Sequence, residues 1–133
     1  MFECLIIGDS IAVGTAMFDK ECHTYAKSGI NSWQFNRMWS AEDLKSGLVV
    51  ISLGTNDHKG INTRKELELI RARAEGSGKV FWIMPAIKPN IQEIVADIAQ
   101  EHGDTIIPIT SLQPDKIHPN WTGYKKIVKE IKK

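Results

Sequence analysis

Leu5-Ile6-Ile7-Gly8-Asp9-Ser10-Ile11-Ala12-Val13-Gly14 is the stretch on which the reading of this chain turns. An apolar run stops at a glycine, an acid and a serine, and apolar residues then resume at helical spacing. That is a buried strand turning directly into a helix. Three meanings are open for Ser10: a helix cap, part of a phosphate cradle, or a nucleophile. Spacing removes the second. A P-loop needs G-x-x-x-x-G-K-[ST], whereas Gly8 to Gly14 is one residue too long and no lysine follows. The G-x-G-x-x-G dinucleotide fingerprint and the G-x-S-x-G nucleophile elbow are absent as well. As a cap, Ser10 places its hydroxyl at a helix N-terminus, where developing negative charge is stabilised, so the cap and nucleophile readings are compatible.

The same strand-then-helix pattern recurs along the chain. Strand character is found at Glu3–Gly8, Leu48–Leu53, Lys79–Met84 and Thr105–Ile109, with a weaker run at His23–Ala26. Helical spacing falls at 11–18, 32–39, 63–75, 88–102 and 121–132, and Gly103 is a C-cap for the fourth of these. Continuous apolar strands alternating with helices predict a three-layer α/β domain, doubly wound about a five-stranded parallel sheet, with residues 1–133 forming one domain. The length of 133 residues suits one core and is too short for two.

Composition excludes several classes. Hydrophobic residues make up 42% and charged residues 25%, with 17 basic against 16 acidic residues and a net charge of +1. Nothing in that balance favours nucleic acid or a membrane surface. No apolar run approaches the ~18 residues of a membrane span, and the N-terminus lacks the regions of a signal peptide. The expected setting is therefore cytoplasmic or virion-associated. Cys4 and Cys22 fit neither a metal spacing nor a disulfide framework and are expected as two buried thiols in a reducing compartment. The lysine-rich segment Lys125–Lys133 is expected as a final helix with a solvated face.

In an open parallel sheet the site lies beyond the carboxyl ends of the strands. The residues that follow strands are therefore the ones that meet: Asp9 and Ser10, Ser28 to Asn31, Gly54 to His58, Pro85 to Ile87, and Pro114 to Asn120. Of the four histidines, His23 and His102 precede strands and belong to the opposite edge, whereas His58 and His118 belong to this one. Asp115 stands three residues before His118 in a turn bounded by Pro114 and Pro119. That spacing lets a carboxylate hold Nδ1–H and leaves Nε2 to take the proton of a serine. His58 has only the adjacent Asp57, and adjacent side chains usually diverge. The backbone N–H groups of Ser10 and Gly29 and the side chain of Asn56 supply three donors for an oxyanion. Singly, Gly29 and Asn56 read equally well as turn residues.

With these residues in hand, the sequence resembles the SGNH hydrolases, also called GDSL-type esterases and lipases. The blocks GDSIAVG, SGIN, GTND and DKIHPN occur in order between Gly8 and Asn120 and cover nearly the whole chain. The resemblance implies a flavodoxin-like sheet of order 2-1-3-4-5 and hydrolysis of acyl esters without metal or cofactor. It implies Ser10 as nucleophile, His118 as base and Asp115 as its orienting acid. It further implies an oxyanion hole of Ser10, Gly29 and Asn56, with Asp9 and Asp57 as supports or simple turn caps. The chain is shorter than most such proteins, which leaves little material for a lid or a deep acyl tunnel. A shallow site suits a short acyl group such as acetyl on a bulky alcohol, for which carbohydrate is the expected partner. Trp33 and Trp121 either line that site or pack into the core, whereas Trp39 and Trp82 are expected in the core. The alternatives are a thioesterase or lysophospholipase for longer acyl chains, a non-catalytic glycan-binding module, and a flavin protein. The last lacks the Ser/Thr-rich phosphate loop it would need after the first strand.

Overall fold

The computed structural model describes residues 2–133. Its elements alternate without exception: β1 (Phe2–Gly8), α1 (Ser10–Phe18), β2 (His23–Ala26), α2 (Ser32–Met38), β3 (Ser46–Ser52), α3 (Thr63–Arg73), β4 (Lys79–Ile83), α4 (Pro89–His102), β5 (Thr105–Ile107) and α5 (Trp121–Ile131). The strands form one parallel sheet in the order β2-β1-β3-β4-β5, as the resemblance implies.

The unbroken apolar runs are explained by burial on both faces. Leu5, Ile7, Val49, Ile51, Val80 and Trp82 face one layer, where they meet Phe35, Leu67, Ile70 and Val95 of α2, α3 and α4. Ile6, Val50, Phe81 and Ile83 alternate to the other face and meet Ile11, Tyr124 and Ile127 of α1 and α5. A strand covered on both sides cannot alternate polar with apolar residues. Helix α5 keeps its lysines outward while Tyr124, Ile127 and Ile131 are buried.

Element ends follow local chemistry. Asn31, Asn62 and Asn120 cap α2, α3 and α5 through their side chains, Pro89 opens α4, and Gly103 closes it at φ 68°. Strand β5 stops two residues short of the expected Ile109, because Pro108 has no N–H to continue the ladder. At the edge away from the strand ends, the Arg71 guanidinium holds Asp104 through two bonds of 2.7 and 3.0 Å, and Trp82 Nε1 donates to the same carboxylate at 3.0 Å. This network ties α3, β4 and the end of α4 together.

The expectation of two free thiols is overturned. Cys4 and Cys22 are joined in a disulfide, with Cα atoms 4.7 Å apart. The parallel register sets Leu5 of β1 beside His23 of β2, so the residues just before them lie side by side. Sequence spacing could not show this, because the contact is created by strand pairing. With both cysteines oxidised, the case for a reducing compartment loses its basis. Among the described residues no helix is long and apolar enough to cross a membrane.

Closing a loop of this length restricts the unfolded chain by roughly 3 kcal/mol. Cys4→Ser should lower the unfolding free energy by about that amount in urea titration. The native protein should take up no iodoacetamide until reductant is added; two labelled cysteines without reductant would contradict the pairing.

Candidate active site

The site is built at the carboxyl edge of the sheet, where β1 and β3 run side by side and their crossovers diverge. Gly8, the last residue of β1, lies at φ 140°, and a Cβ there would run into the backbone carbonyl of Ser52. Only glycine permits this approach. The next peptide N–H, that of Asp9, donates to the Ser52 carbonyl at 3.0 Å. The side chain of Asp9 turns inward, where Oδ1 accepts from Ile11 N–H at 3.0 Å and from Ser52 Oγ at 3.0 Å.

Asp9, rather than Ser10, is therefore the N-cap of α1. Ser10 is the first helical residue and keeps its hydroxyl free for other work. Its Oγ lies 2.8 Å from His118 Nε2, across 108 positions of sequence. On the far side of the ring, His118 Nδ1 lies 2.6 Å from Asp115 Oδ2. The other oxygen of Asp115 accepts from the backbone N–H groups of Ile117 at 2.9 Å and His118 at 3.0 Å. These donors, the His118 N–H first and then those of Ile117 and the His118 ring, hold the Asp115 carboxyl down at about 2. The turn is closed by Gln113 N–H donating to the His118 carbonyl at 2.8 Å and by Lys116 in the left-handed region at φ 60°. Side-chain exposures of 33% for His118 and 41% for Asp115 leave the pair open to solvent.

Gly29 stands at φ 83°, and nothing lies within 4 Å of where its Cβ would be. The requirement at Gly29 is thus the backbone angle, with open space in front of it. Among the described residues neither its N–H nor that of Ser10 has an acceptor in the chain. Asn56 Nδ2 gives one hydrogen to the Ile30 carbonyl at 2.9 Å, which fixes the amide and leaves the other hydrogen unused. Asp57 is buried and accepts three bonds, from Ser32 N–H (2.9 Å), Ser32 Oγ (2.5 Å) and Thr63 Oγ1 (2.7 Å). It binds the starts of α2 and α3 to the β3 loop and does not reach Ser10 or His118.

The remaining sequence candidates divide clearly. His58 turns its Nδ1 to the Gly60 N–H at 3.1 Å and takes no part in the Ser10 chain. His23 stacks on Phe2, and His102 lies near Glu75, both remote from the strand ends. Trp121 is 75% exposed and makes an edge contact with Phe18. Trp33 is 49% exposed with the Arg37 guanidinium 4.4 Å above its ring, so one face is covered. Trp82 is fully buried and Trp39 packs partly into the core, as expected. Ser52, Ser32, Thr63 and Lys88 support the site and carry no motif. Of these, Ser52 alone lay inside a run read as a strand, Leu48–Leu53, and nothing in that run marked its partner. The one grouping of metal-ligating type among the described residues is Cys4, Asp19 and Cys22, and the disulfide occupies both sulfurs.

Burial raises the Asp9 carboxyl from 3.8 to about 6, against the hydrogen bonds of Ser52 and Ile11 that favour its ionised form. Its second oxygen is buried without a partner, as suits a protonated acid. The folded state thus binds this proton more tightly than the unfolded state. Stability from Asp9 is complete below pH 3.8 and is lost as pH rises through about 6, a change on the order of 3 kcal/mol. Asp9→Asn keeps the acceptor and stays neutral, so it should flatten this part of the pH profile in urea unfolding at pH 4 and pH 6.5. An unchanged slope in the variant would refute the assignment.

No family model matches the sequence, and no curated protein matches it. Solved structures do. A protein from Bacteroides fragilis named for a proposed acylhydrolase activity superposes with a TM-score of 0.72 at 20% identity, over 97% of this chain and 84% of that one. A member of the lipolytic protein G-D-S-L family from Veillonella parvula superposes with a TM-score of 0.71 at 16% identity, over 98% and 96%. A lipolytic protein of the G-D-S-L family from Desulfitobacterium hafniense gives 0.66 at 15%, over 97% and 96%. The sheet order, the parallel strands and these superpositions over nearly the whole chain agree on one architecture: this protein has the fold of the SGNH/GDSL hydrolases.

Proposed function

We propose that the protein is a serine esterase that hydrolyses acyl esters through an acyl-enzyme, with short acyl groups, acetyl above all, carried on carbohydrate as its substrates. The observation that carries this reading is the unbroken hydrogen-bonded line from Ser10 Oγ through the His118 ring to Asp115. In that line Asp115 fixes the tautomer with hydrogen on Nδ1, and Nε2 takes the serine proton as Oγ attacks the ester carbonyl. The oxyanion forms where the N–H groups of Ser10 and Gly29 and the free hydrogen of Asn56 Nδ2 are available. His118 then gives its proton to the leaving alcohol. Water, deprotonated by the same nitrogen, attacks the acyl-enzyme and releases the acid and Ser10.

Support for a short acyl group comes from the openness of the triad. A longer chain gains about 0.8 kcal/mol for each methylene only where an apolar wall receives it. On the His118–Asp115 side of the site both side chains are a third or more exposed, so an acyl group lying there meets little apolar surface. Support for a sugar comes from Trp121, three residues beyond His118, whose indole presents a broad apolar face to solvent.

Ser10→Ala and His118→Ala should each lower kcat on p-nitrophenyl acetate by at least about a thousandfold, and His58→Ala should not. Asn56→Ala should cost on the order of a hundredfold to a thousandfold. A series from acetate to palmitate should peak at the short end. A maximum beyond about eight carbons would transfer the protein to the thioesterase or lysophospholipase reading. Full activity in Ser10→Ala would remove the esterase reading altogether.

A further inference from the structure

A groove of about 620 Å³ runs between the loop after β3 and the start of α4. Both walls leave the carboxyl edge of the sheet, the edge that carries Ser10. Its walls include Asp57, one residue beyond Asn56, and Ile91 and Ile94 of α4. None of the residues in the Ser10–His118–Asp115 line contributes to it.

Its charge is one-sided. Lys59, Arg64 and Lys88 face it, and among the described residues the only acid in its wall is Asp57. The Asp57 carboxylate is turned inward onto Ser32 and Thr63 and is 3% exposed as a residue. Arg64 is engaged by Asp97 at 2.9 Å. Lys59 and Lys88 have no carboxylate partner among the described residues. Lys59 is exposed, whereas Lys88 is half-buried and held in place: one of its three N–H groups donates to the Asp57 carbonyl at 2.7 Å. Its backbone sits in the left-handed region at φ 66°, ordinarily left to glycine or asparagine. The Lys88 ammonium thus stands at the Asn56 end of the groove, and Ile61 and Ile94 add apolar surface to its walls, backed by the buried Ile91.

We infer that this groove receives an anionic group of the substrate, a carboxylate or phosphate a few atoms from the scissile ester, with Lys88 and Lys59 as its partners. The inference rests on the esterase reading above and narrows its substrate class. Lys88, held at the Asp57 end, and Lys59 would meet the charge, and the isoleucines would meet the C–H face of a sugar ring or a short methylene spacer. The same chemistry could reach the groove from either side of the ester: from the alcohol, as in an acetylated uronic acid, or from the acyl group, as in a hemisuccinate.

Two matched pairs of substrates test this in the protein. On the alcohol side, the O-acetyl ester of methyl glucuronide is compared with that of methyl glucoside. On the acyl side, p-nitrophenyl hemisuccinate is compared with p-nitrophenyl butyrate. One pair should show at least about a tenfold preference for the anion, expressed in KM and weakened from 20 to 500 mM salt, as expected for charge-assisted contacts. The pair that shows it identifies the side of the ester that bears the charge. In Lys59→Gln/Lys88→Asn the preference should fall to near one, and in Lys125→Gln, on the outer face of α5, it should persist. Because each preference is a ratio within one protein, partial misfolding of a variant cancels. A ratio near one in both pairs, or a preference that survives in Lys59→Gln/Lys88→Asn, would overturn the proposal. Absence of turnover on every ester would count against the esterase reading alone. Titration with methyl glucuronide and succinate, followed by amide chemical shifts, would then decide the groove. Shifts confined to residues 59–64 and 88–94 support it, and none there would refute it.

Discussion

The contact between Gly8 of β1 and Ser52 of β3 is the constraint on which the site depends. Parallel pairing sets these two residues side by side at the ends of their strands. Because Gly8 has no side chain, the following turn can pass directly over the Ser52 carbonyl and hand it the Asp9 N–H. Asp9 then caps α1 and reaches back to the Ser52 hydroxyl, so strand, turn and helix are tied at one point. Ser10 has no freedom left in its backbone, and its hydroxyl leaves the helix start toward the β5–α5 loop. A slip of one residue in the β1–β3 register would turn the faces of one strand over relative to the other and bring a different residue against Gly8.

Three other loops are held in the same manner, by side chains that serve backbone geometry. Asp57 gathers the first turns of α2 and α3, which sets the loop bearing Gly29 and the loop bearing Asn56 relative to each other. Asn56 itself spends one hydrogen on the Ile30 carbonyl, so that donor is anchored to the loop that carries Gly29. In the last loop, Asn120 caps α5 and also donates to the Leu112 carbonyl at 3.3 Å, which braces the turn holding Asp115 and His118. Asp9, Asn56, Asp57 and Asp115 are each positioned by a second group, as preorganised sites require.

Much of this was legible in the chain itself. The five strands and five helices follow from the apolar runs and caps, and their ends differ by one or two residues in most cases. Residues that follow strands were bound to gather at one edge, which is why Ser10, Asn56 and His118 could be named together. What stayed hidden depends on the register between neighbouring strands, which the sheet order alone does not give. The Cys4–Cys22 bond follows from the register of β1 on β2, and the Asp9–Ser52 pair from that of β1 on β3. Sequence separations of 18 and 43 residues carry no sign of either contact. The cap of α1 was misplaced by one residue for a related reason. Asp9 and Ser10 are both good N-caps, and only the turn over Ser52 selects the acid.

Asp9 and Asp115 show how far environment separates two identical side chains at one edge. Asp9 is enclosed and has a single oxygen served by donors, so burial prevails and its carboxyl rises to about 6. Asp115 is open to water yet is pushed down to about 2, because backbone N–H groups and the His118 ring converge on it. A carboxylate beside a catalytic imidazole is useful when it stays ionised and does not move. Burial would secure the second property and endanger the first. The short turn from Asp115 to His118 secures both, since Ile117 and His118 donate to the same oxygen through backbone that the turn already fixes. An exposed carboxylate held in this way needs no thick covering of protein, and the site can be assembled on a chain of 133 residues with its His–Asp pair near the surface.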